Sequence, residues 1–528
     1  MIVTMRRFAA FACLVLPLLG CTHENLPDTP SRAPDAVVSH DMIRLGEKLE
    51  DPYTVDNMRA ALEKLYQSMA DRIDIAATDL YVRFLPADED QLKDLRESGL
   101  YLLDHPMDYR ILQEGDYYQD PELGPDCITW QYATVPHDFA FPRGIVYEIL
   151  DECYISEHDP STRADSSIDW DAVEREAFRL SGNADMLEPR TRGESYTPEG
   201  RMTIVDANYS GGKPYGLSGV KVACNIFVKI STCFTDRDGY YKMDKSFSGK
   251  PRYRIVFENS KGFCIGFNWV LVPASVCTLG TGSPEGIDYT VSPGSDANLF
   301  RRSVINNAAW EFYSRCTQAD LDIAPPPEDR RIWVFAGLDS SSTVMLHHGA
   351  FLDNALLQKY LGDYMAIIKY FLPDITIGTK GRTSFADIWD AAMHELSHAS
   401  HYVRAGNSYW RVFIRYIIES YITEGRQAYG SGTREDAGYC EVGENWAYFM
   451  ESTLFKDRYG GVLPQFGQSW WFRPALLRYL YERGMSRGEI YRSLKSGTTS
   501  MEAMKKELIS LYPSRETLIR QCFEYYGK

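Results

Sequence analysis

The sequence predicts a multidomain α+β protein with an N-terminal α/β segment, a central β-sandwich, and a C-terminal α+β domain that ends in a helical tail. A length of 528 residues is enough for about three domains. An apolar fraction of 44% is sufficient for packed cores. Strand-like segments separated by turns fill the middle of the chain, whereas segments with helical periodicity dominate its last third.

The first twenty residues have the pattern of an export signal. Met1–Arg7 is basic, residues 8–20 are apolar but too few to span a bilayer, and Cys21 follows Leu-Leu-Gly. This ending resembles the lipobox of bacterial lipoproteins, in which the signal is cleaved and the next cysteine is acylated. We therefore expect a signal peptide over residues 1–20, a lipid on Cys21, and a polar, Pro-rich tether over residues 21–40.

The residue after the lipidated cysteine bears on location. Thr22 stands where some lipoproteins carry the aspartate that retains them in the inner membrane. The resemblance therefore implies a lipid anchor in the bacterial outer membrane, with the protein on the cell-surface or the periplasmic side. The alternative is an ordinary secretory signal followed by an incidental cysteine.

Residues 41–195 are expected to form an N-terminal α+β region. The segment after Pro52 has the apolar spacing of a helix, and Asp79–Leu85 alternates as a strand does. The region resembles the N-terminal parts of large lipoproteins of the Bacteroidetes. It contains no catalytic motif.

Residues 200–290 are expected to form the β-sandwich. Short strand-like runs, such as Val220–Cys224 and Tyr253–Phe257, lie between turns. The order Gly219-Val220, Thr235-Asp236, Gly239-Tyr240 resembles the carboxypeptidase regulatory-like β-sandwich. That resemblance implies a module for packing or presentation rather than for chemistry.

Residues 291–528 are expected to form the third domain, with a mixed sheet and a helical C-terminal half. Residues 298–316 and 355–371 have helical periodicity, and Asp374–Gly378 reads as a strand. The tail from Pro474 onward carries leucines at the spacing of a helix core.

An HExxH motif at residues 394–398 is the strongest functional signal. Ser384 suits a helix N-cap, Gly406 suits a helix end, and no Gly or Pro lies between them. Two histidines four residues apart on a helix face the same way and can share one metal ion. The motif predicts Zn²⁺ bound by His394 and His398, with Glu395 as the general base. The alternative is a chance motif on a surface helix.

A tetrahedral zinc site needs a third protein ligand, and the next candidate helix offers Glu441 and Glu444. The pattern Glu-x-aromatic-Ala-x-x-x-Glu at residues 444–451 resembles the second zinc helix of gluzincin metallopeptidases, most closely their aminopeptidase branch. The resemblance implies that Glu444 is the third ligand and that Ala447 lets the two helices approach. Glu441, one turn earlier on the same face, is the rival ligand.

The resemblance covers residues 370–455 and departs from the aminopeptidase pattern in one respect. Forty-five residues separate His398 from Glu444, and this insert contains an amphipathic segment, Trp410–Ile422. The aminopeptidase substrate preference is therefore not carried over. His401 lies two turns from His394, about 10 Å along the axis, too far to share its metal. We expect a structural histidine there, with a role in lining the cleft or orienting a ligand as the alternative.

Net charge and cysteine content argue against a nucleic-acid-binding protein and against a zinc site made of cysteines. A net charge of −17 argues against nucleic acid as a partner. Besides Cys13 and Cys21, nine of the eleven cysteines remain; this odd number leaves at least one thiol free. No Cys-x-x-Cys pair is present, so a cysteine zinc site is not expected.

These observations predict a membrane-anchored zinc metallopeptidase that hydrolyses extracellular peptide or glycoprotein. A non-enzymatic surface lipoprotein that binds glycan or protein, with a structural or vestigial metal site, is the main alternative. A zinc hydrolase of a non-peptide bond is a third.

Overall fold

The computed structural model describes residues 42–528, except residues 68–72, 74, 116, 125–126, 160–161, 163–166, 189–195, 267–273, 347, 350–373, 425–428 and 462–470. The expected signal peptide, the tether with Cys21, and the helix expected at residues 355–371 lie outside the described residues. No helix in the described part combines the length and the apolarity needed to cross a membrane.

The described residues form seventeen strands and ten α-helices, so the general α+β class is confirmed. The strands are β1 Arg44–Lys48, β2 Asp79–Leu85, β3 Tyr109–Gln113, β4 Gln131–Pro136, β5 Val146–Cys153, β6 Glu199–Ile204, β7 Tyr215–Gly216, β8 Val220–Ile226, β9 Lys229–Phe234, β10 Tyr240–Lys242, β11 Arg252–Asn259, β12 Phe263–Ile265, β13 Val276–Thr281, β14 Tyr289–Val291, β15 Arg330–Phe335, β16 Ser342–Thr343 and β17 Ile375–Gly378. The helices are α1 Val55–Leu65, α2 Glu89–Glu97, α3 Trp170–Leu180, α4 Ala297–Cys316, α5 Phe385–Thr423, α6 Ala437–Tyr459, α7 Ala475–Glu482, α8 Arg487–Tyr491, α9 Met501–Leu511 and α10 Glu516–Tyr525.

The N-terminal region contains two small antiparallel sheets. One pairs β1 with β3, and the other has the order β4-β2-β5. The predicted strand at residues 79–85 is β2, and α1 follows Pro52, with the side chain of Thr54 capping its first turn.

A buried charge cluster joins this region to the central strands. The Nζ of Lys229 at the start of β9 lies 2.8 Å from a carboxylate oxygen of Glu174 on α3 and 2.6 Å from one of Glu157. The Lys229 side chain is fully buried, so both acids compensate its charge inside the protein.

The central strands belong to two sheets. β6 pairs with β7, β10 and β14, whereas β8, β9, β11, β12 and β13 lie in an eight-stranded sheet with the order β16-β17-β15-β12-β11-β8-β9, in which β13 also pairs with β11. Residues from both sheets, including Met202 and Val222, belong to one apolar core.

The eight-stranded sheet crosses the boundary predicted at residues 290–291. β12 pairs in parallel with β15, so that Phe263 lies opposite Arg330 and Ile265 opposite Ile332. β15 in turn pairs in parallel with β17, and β16 closes that edge in the antiparallel direction. The central region and the C-terminal region therefore share one sheet.

Helices α5 and α6 carry the motif residues. The Ser384 side chain accepts a hydrogen bond from the backbone N–H of Asp387, which confirms the predicted N-cap of α5. Gly406 has φ 80°, a left-handed value that suits glycine, but the helix resumes after this kink and continues to Thr423. The predicted amphipathic segment Trp410–Ile422 is thus the second half of α5.

α6 packs alongside α5. Trp446 on α6 is fully buried and donates from Nε1 to the backbone oxygen of Ser397 on α5 at 3.0 Å. A Cβ on Gly443 would lie 3.0 Å from a ring carbon of Phe413, so glycine permits this close approach. The helical tail, α7–α10, follows, with Leu476, Leu477 and Leu480 buried as predicted.

Candidate metal centre

Three side chains from α5 and α6 converge in the interior of the C-terminal region. The Nε2 atoms of His394 and His398 are 3.2 Å apart. An oxygen of the Glu444 carboxylate lies 3.5 Å from Nε2 of His394, and the other lies 3.4 Å from Nε2 of His398. These three residues are at most 2% exposed. The group could bind a metal ion.

The spacing of these atoms suits a small tetrahedral ion. Imidazole nitrogens and carboxylate oxygens bind such an ion at about 2.0–2.2 Å, which places neighbouring ligand atoms about 3.3 Å apart. The observed separations of 3.2 to 3.5 Å agree with this value. The residues present therefore fit a metal ion.

Electrostatics at the centre favour a positive charge. Nδ1–H of His394 donates to Oε2 of Glu451 at 2.7 Å, which leaves the lone pair of Nε2 toward Glu444 and His398. Burial lowers the pKa of His394, but hydrogen bonds to Glu444 and Glu451 outweigh it and raise the pKa well above its ordinary value. Burial raises the pKa of Glu444, yet the two histidines bring it below its ordinary value.

Glu395 is adjacent to the centre, and a residue of the eight-stranded sheet holds its carboxylate in place. Its Oε2 accepts a hydrogen bond from the hydroxyl of Thr343 on β16 at 2.7 Å. Its Oε1 has no hydrogen-bond partner among the described residues. Burial is the main reason that the pKa of Glu395 is raised. The carboxylate is thus fixed through one oxygen, with the other available to a further group.

Aromatic rings form the wall of the centre. The Tyr448 ring lies 4.5 Å from the His394 ring, and the Phe413 and Trp410 rings lie 5.7 and 5.9 Å from the His398 ring. Trp410 also donates from Nε1 to the backbone oxygen of Thr343 at 3.0 Å, tying the second half of α5 to the edge strand. Such an apolar wall lowers the local dielectric constant and strengthens electrostatic interactions inside it.

Glu441, the rival ligand, lies apart from the two histidines. Its carboxylate forms an ion pair with Nζ of Lys528 at the C-terminal end of the chain. The structure therefore brings Glu444, and not Glu441, to the histidine pair, and Ala447 on the same helix is fully buried.

His401 does not join the metal-binding group. It is fully buried against Tyr409 and Trp410, with ring centroids 5.0 and 5.4 Å away. Neither of its ring nitrogens has a hydrogen-bond partner in the described part of the chain, so a fully hydrogen-bonded structural histidine is not observed. Burial lowers its pKa to about 3, and the ring is neutral.

Two residues that hold the centre in place, Glu451 and Thr343, have no role predicted from the sequence. Glu451 lies seven residues after Glu444, two helical turns along one face, and this spacing was an available signal. Thr343 lies fifty-two residues before Glu395 in a two-residue strand, and no local pattern indicates its contact with Glu395.

Within the described residues, no disulfide joins any of the nine cysteines from Cys127 onward. Comparisons with protein-family models, with curated proteins and with solved structures found no match.

Proposed function

We propose that the protein is a zinc-dependent metallopeptidase that hydrolyses extracellular peptide or glycoprotein. The observation that carries this proposal is the buried convergence of two imidazole nitrogens and one carboxylate, with the carboxylate of Glu395 adjacent on α5. Three protein ligands leave a fourth position open for water or substrate, as catalytic zinc sites do. A structural site would fill that position with a fourth ligand.

His394, His398 and Glu444 would hold the ion. When bound, zinc lowers the pKa of a coordinated water toward neutrality and polarises a carbonyl group. Glu395 would accept the proton of the attacking water at Oε1 and deliver it to the leaving amine. Thr343 would keep the carboxylate of Glu395 in position through Oε2.

Burial of the centre supports a second candidate, a surface lipoprotein that binds glycan or protein around a structural or vestigial metal site. His394, Glu395, His398 and Glu444 are all at most 2% exposed, and a substrate must reach them. Glu395 argues against this second candidate, because a structural metal site does not require a buried carboxylate with an oxygen that makes no hydrogen bond.

The proposed location is a lipid anchor in the outer membrane through Cys21. The basic residues 1–7, the apolar residues 8–20 and the lipobox-like Leu-Leu-Gly-Cys support it. A peptidase anchored there would meet peptide and glycoprotein from outside the cell.

A substrate screen with metal control tests the proposed activity. Purified protein is incubated with peptide libraries and mucin-type glycoproteins, before and after chelation, and again after zinc is restored. Cleavage that disappears on chelation and returns with zinc supports the proposal. Absence of zinc-dependent cleavage in the whole screen would favour the binding protein.

A further inference from the structure

A small cavity lies where the N-terminal region meets the eight-stranded sheet, away from the residues of the metal centre. Its volume is about 60 Å³, and its wall includes Tyr101, Asp104 and His105 from one side and Lys221, Arg254 and Glu258 from the sheet. This volume corresponds to roughly four or five water-sized positions.

Arg254 on β11 is the central residue of this wall. It is 2% exposed. Its Nη1 donates to Oδ1 of Asn225 at 2.7 Å, and its Nη2 lies 3.4 Å from Nε2 of His105. A guanidinium has five N–H donors, so three remain.

Two neighbouring cations of Arg254 have carboxylate partners. Arg252 pairs with Glu114 at 2.5 Å, and Lys221 pairs with Glu258. Within the described residues Arg254 has no carboxylate within ion-pair distance. A buried guanidinium without a carboxylate partner is costly, and an anion bound beside it removes that cost.

His105 fixes the direction of both arginines. Its Nδ1–H donates to Oδ1 of Asp104 at 2.8 Å, so that Nε2 is an acceptor, at 3.3 Å from Nη1 of Arg252 and 3.4 Å from Nη2 of Arg254. Burial is the main cause that lowers the pKa of His105 to about 4, which keeps the ring neutral near pH 7.

Tyr101 supplies a second donor in the wall. Tyr101 is partly buried and lines the cavity, and its hydroxyl has no hydrogen-bond partner among the described residues. Burial raises the pKa of Tyr101 to about 12, so the hydroxyl stays protonated. The cavity therefore presents a buried guanidinium and a phenolic O–H to whatever fills it.

We propose that this cavity binds the oxyanion group of a small ligand, a carboxylate or a phosphate, through Arg254 and Tyr101. Guanidinium groups recognise both anions with paired, charge-assisted hydrogen bonds. A larger groove of about 300 Å³ adjoins the cavity, since Arg96 and Glu258 line both. Leu92, Phe234 and Phe263 line this groove, which gives room for the body of an organic ligand. The proposal does not depend on the metal centre.

Calorimetric titration of the full chain tests the proposal directly. Phosphate, sulfate, glycolate and benzoate are titrated at constant ionic strength, with chloride as the reference. We expect at least one oxyanion to bind with a Kd of about 1 mM or tighter. Tighter binding of benzoate than of glycolate indicates that the groove holds the ligand body, whereas inorganic phosphate alone indicates a free ion. Failure of all four to bind would overturn the proposal.

Three variants assign the binding to this cavity. Arg254→Gln should weaken binding about tenfold or more, because it removes the charged donor. Tyr101→Phe removes only one hydroxyl and should weaken binding by about threefold to tenfold. Lys506→Gln makes the same charge change on α9, where the side chain is 75% exposed and lines neither the cavity nor the groove, and should bind as the wild type does. If Arg254→Gln fails to fold, Tyr101→Phe decides. Unchanged affinity in the variants that fold would show that the anion binds elsewhere.

Discussion

Nδ1 of His394 on α5 lies 2.7 Å from Oε2 of Glu451 on α6. This hydrogen bond joins the first HExxH histidine to the helix that also carries Glu444, two turns earlier. It fixes the orientation of the imidazole and directs Nε2 toward the other two side chains of the centre. A carboxylate behind a histidine in this way also makes the ring a better metal ligand.

We expect Glu451→Gln to weaken zinc binding about tenfold to a hundredfold without abolishing it, because the amide supports the imidazole less well than the carboxylate. Competition with a zinc chelator measures this change. Glu482→Gln, which alters a half-exposed acid on α7, is the matched control and should bind zinc as the wild type does. Equal affinity for Glu451→Gln would mean that Glu451 does not support the ligand.

Variants of two glutamates one helical turn apart test which of them is the third metal ligand. Glu444→Gln should lose bound zinc, because the substitution replaces the anionic carboxylate ligand beside the histidines with a neutral amide. Glu441→Gln breaks only the ion pair with Lys528 and should keep zinc. Metal analysis of the purified proteins distinguishes them. The opposite pattern would make Glu441 the ligand.

Much of the centre could be predicted from local sequence signals. Ser384 as a cap, histidines four residues apart, and a glutamate with a small residue three positions later all act within one or two helical turns. These signals identified both helices, as well as the residues that the fold brings together. The sequence predicts a helix end at Gly406, but the structure has a kink there. The helix continues because its apolar face resumes at Tyr409 and Trp410, which are both fully buried.

Contacts between distant segments could not be predicted in this way. Thr343 meets Glu395 only because β16 pairs with β17 at the sheet edge. The parallel pairing of β12 with β15 likewise carries no local mark, since parallel strands are joined by long connections. For that reason local patterns did not predict the sheet that spans residues 290–291. The environment of His401 could not be predicted either, because its burial without hydrogen-bond partners depends on the rings of Tyr409 and Trp410.

His105 predicts a pH dependence of stability. Its pKa is lowered from 6.5 to about 4 by burial, so below pH 6.5 the unfolded chain binds a proton that the folded protein does not. Stability should therefore fall as the pH falls from 6.5 to about 4, and His105 should account for about 3 kcal/mol of that loss. Urea denaturation at several pH values measures it.

His105→Gln retains an acceptor for the arginines but cannot be protonated, so this part of the acid dependence should disappear. His137→Gln, at an exposed position, should leave the dependence as in the wild type. An unchanged slope in His105→Gln would show that other groups cause the acid sensitivity.

Membrane attachment through Cys21 is tested by Cys21→Ala. We expect this variant to leave the membrane fraction, because the lipid on Cys21 is the proposed anchor. Fractionation followed by a high-salt wash measures the distribution, and Cys127→Ala, at an exposed position, is the control that should stay attached. Cys21→Ala that remains on washed membranes would argue against a lipid anchor.

The most direct test of the central claim is zinc content and hydrolysis measured together in the wild type and in Glu395→Gln. The wild type should contain about one zinc per chain and cleave a peptide or glycoprotein substrate. Glu395→Gln should keep the zinc, since Glu395 is not one of the converging ligands, but lose turnover, since the water loses its proton acceptor. A Glu395→Gln protein that cleaves as fast as the wild type, or a wild type that contains zinc and cleaves nothing, would contradict the proposed peptidase.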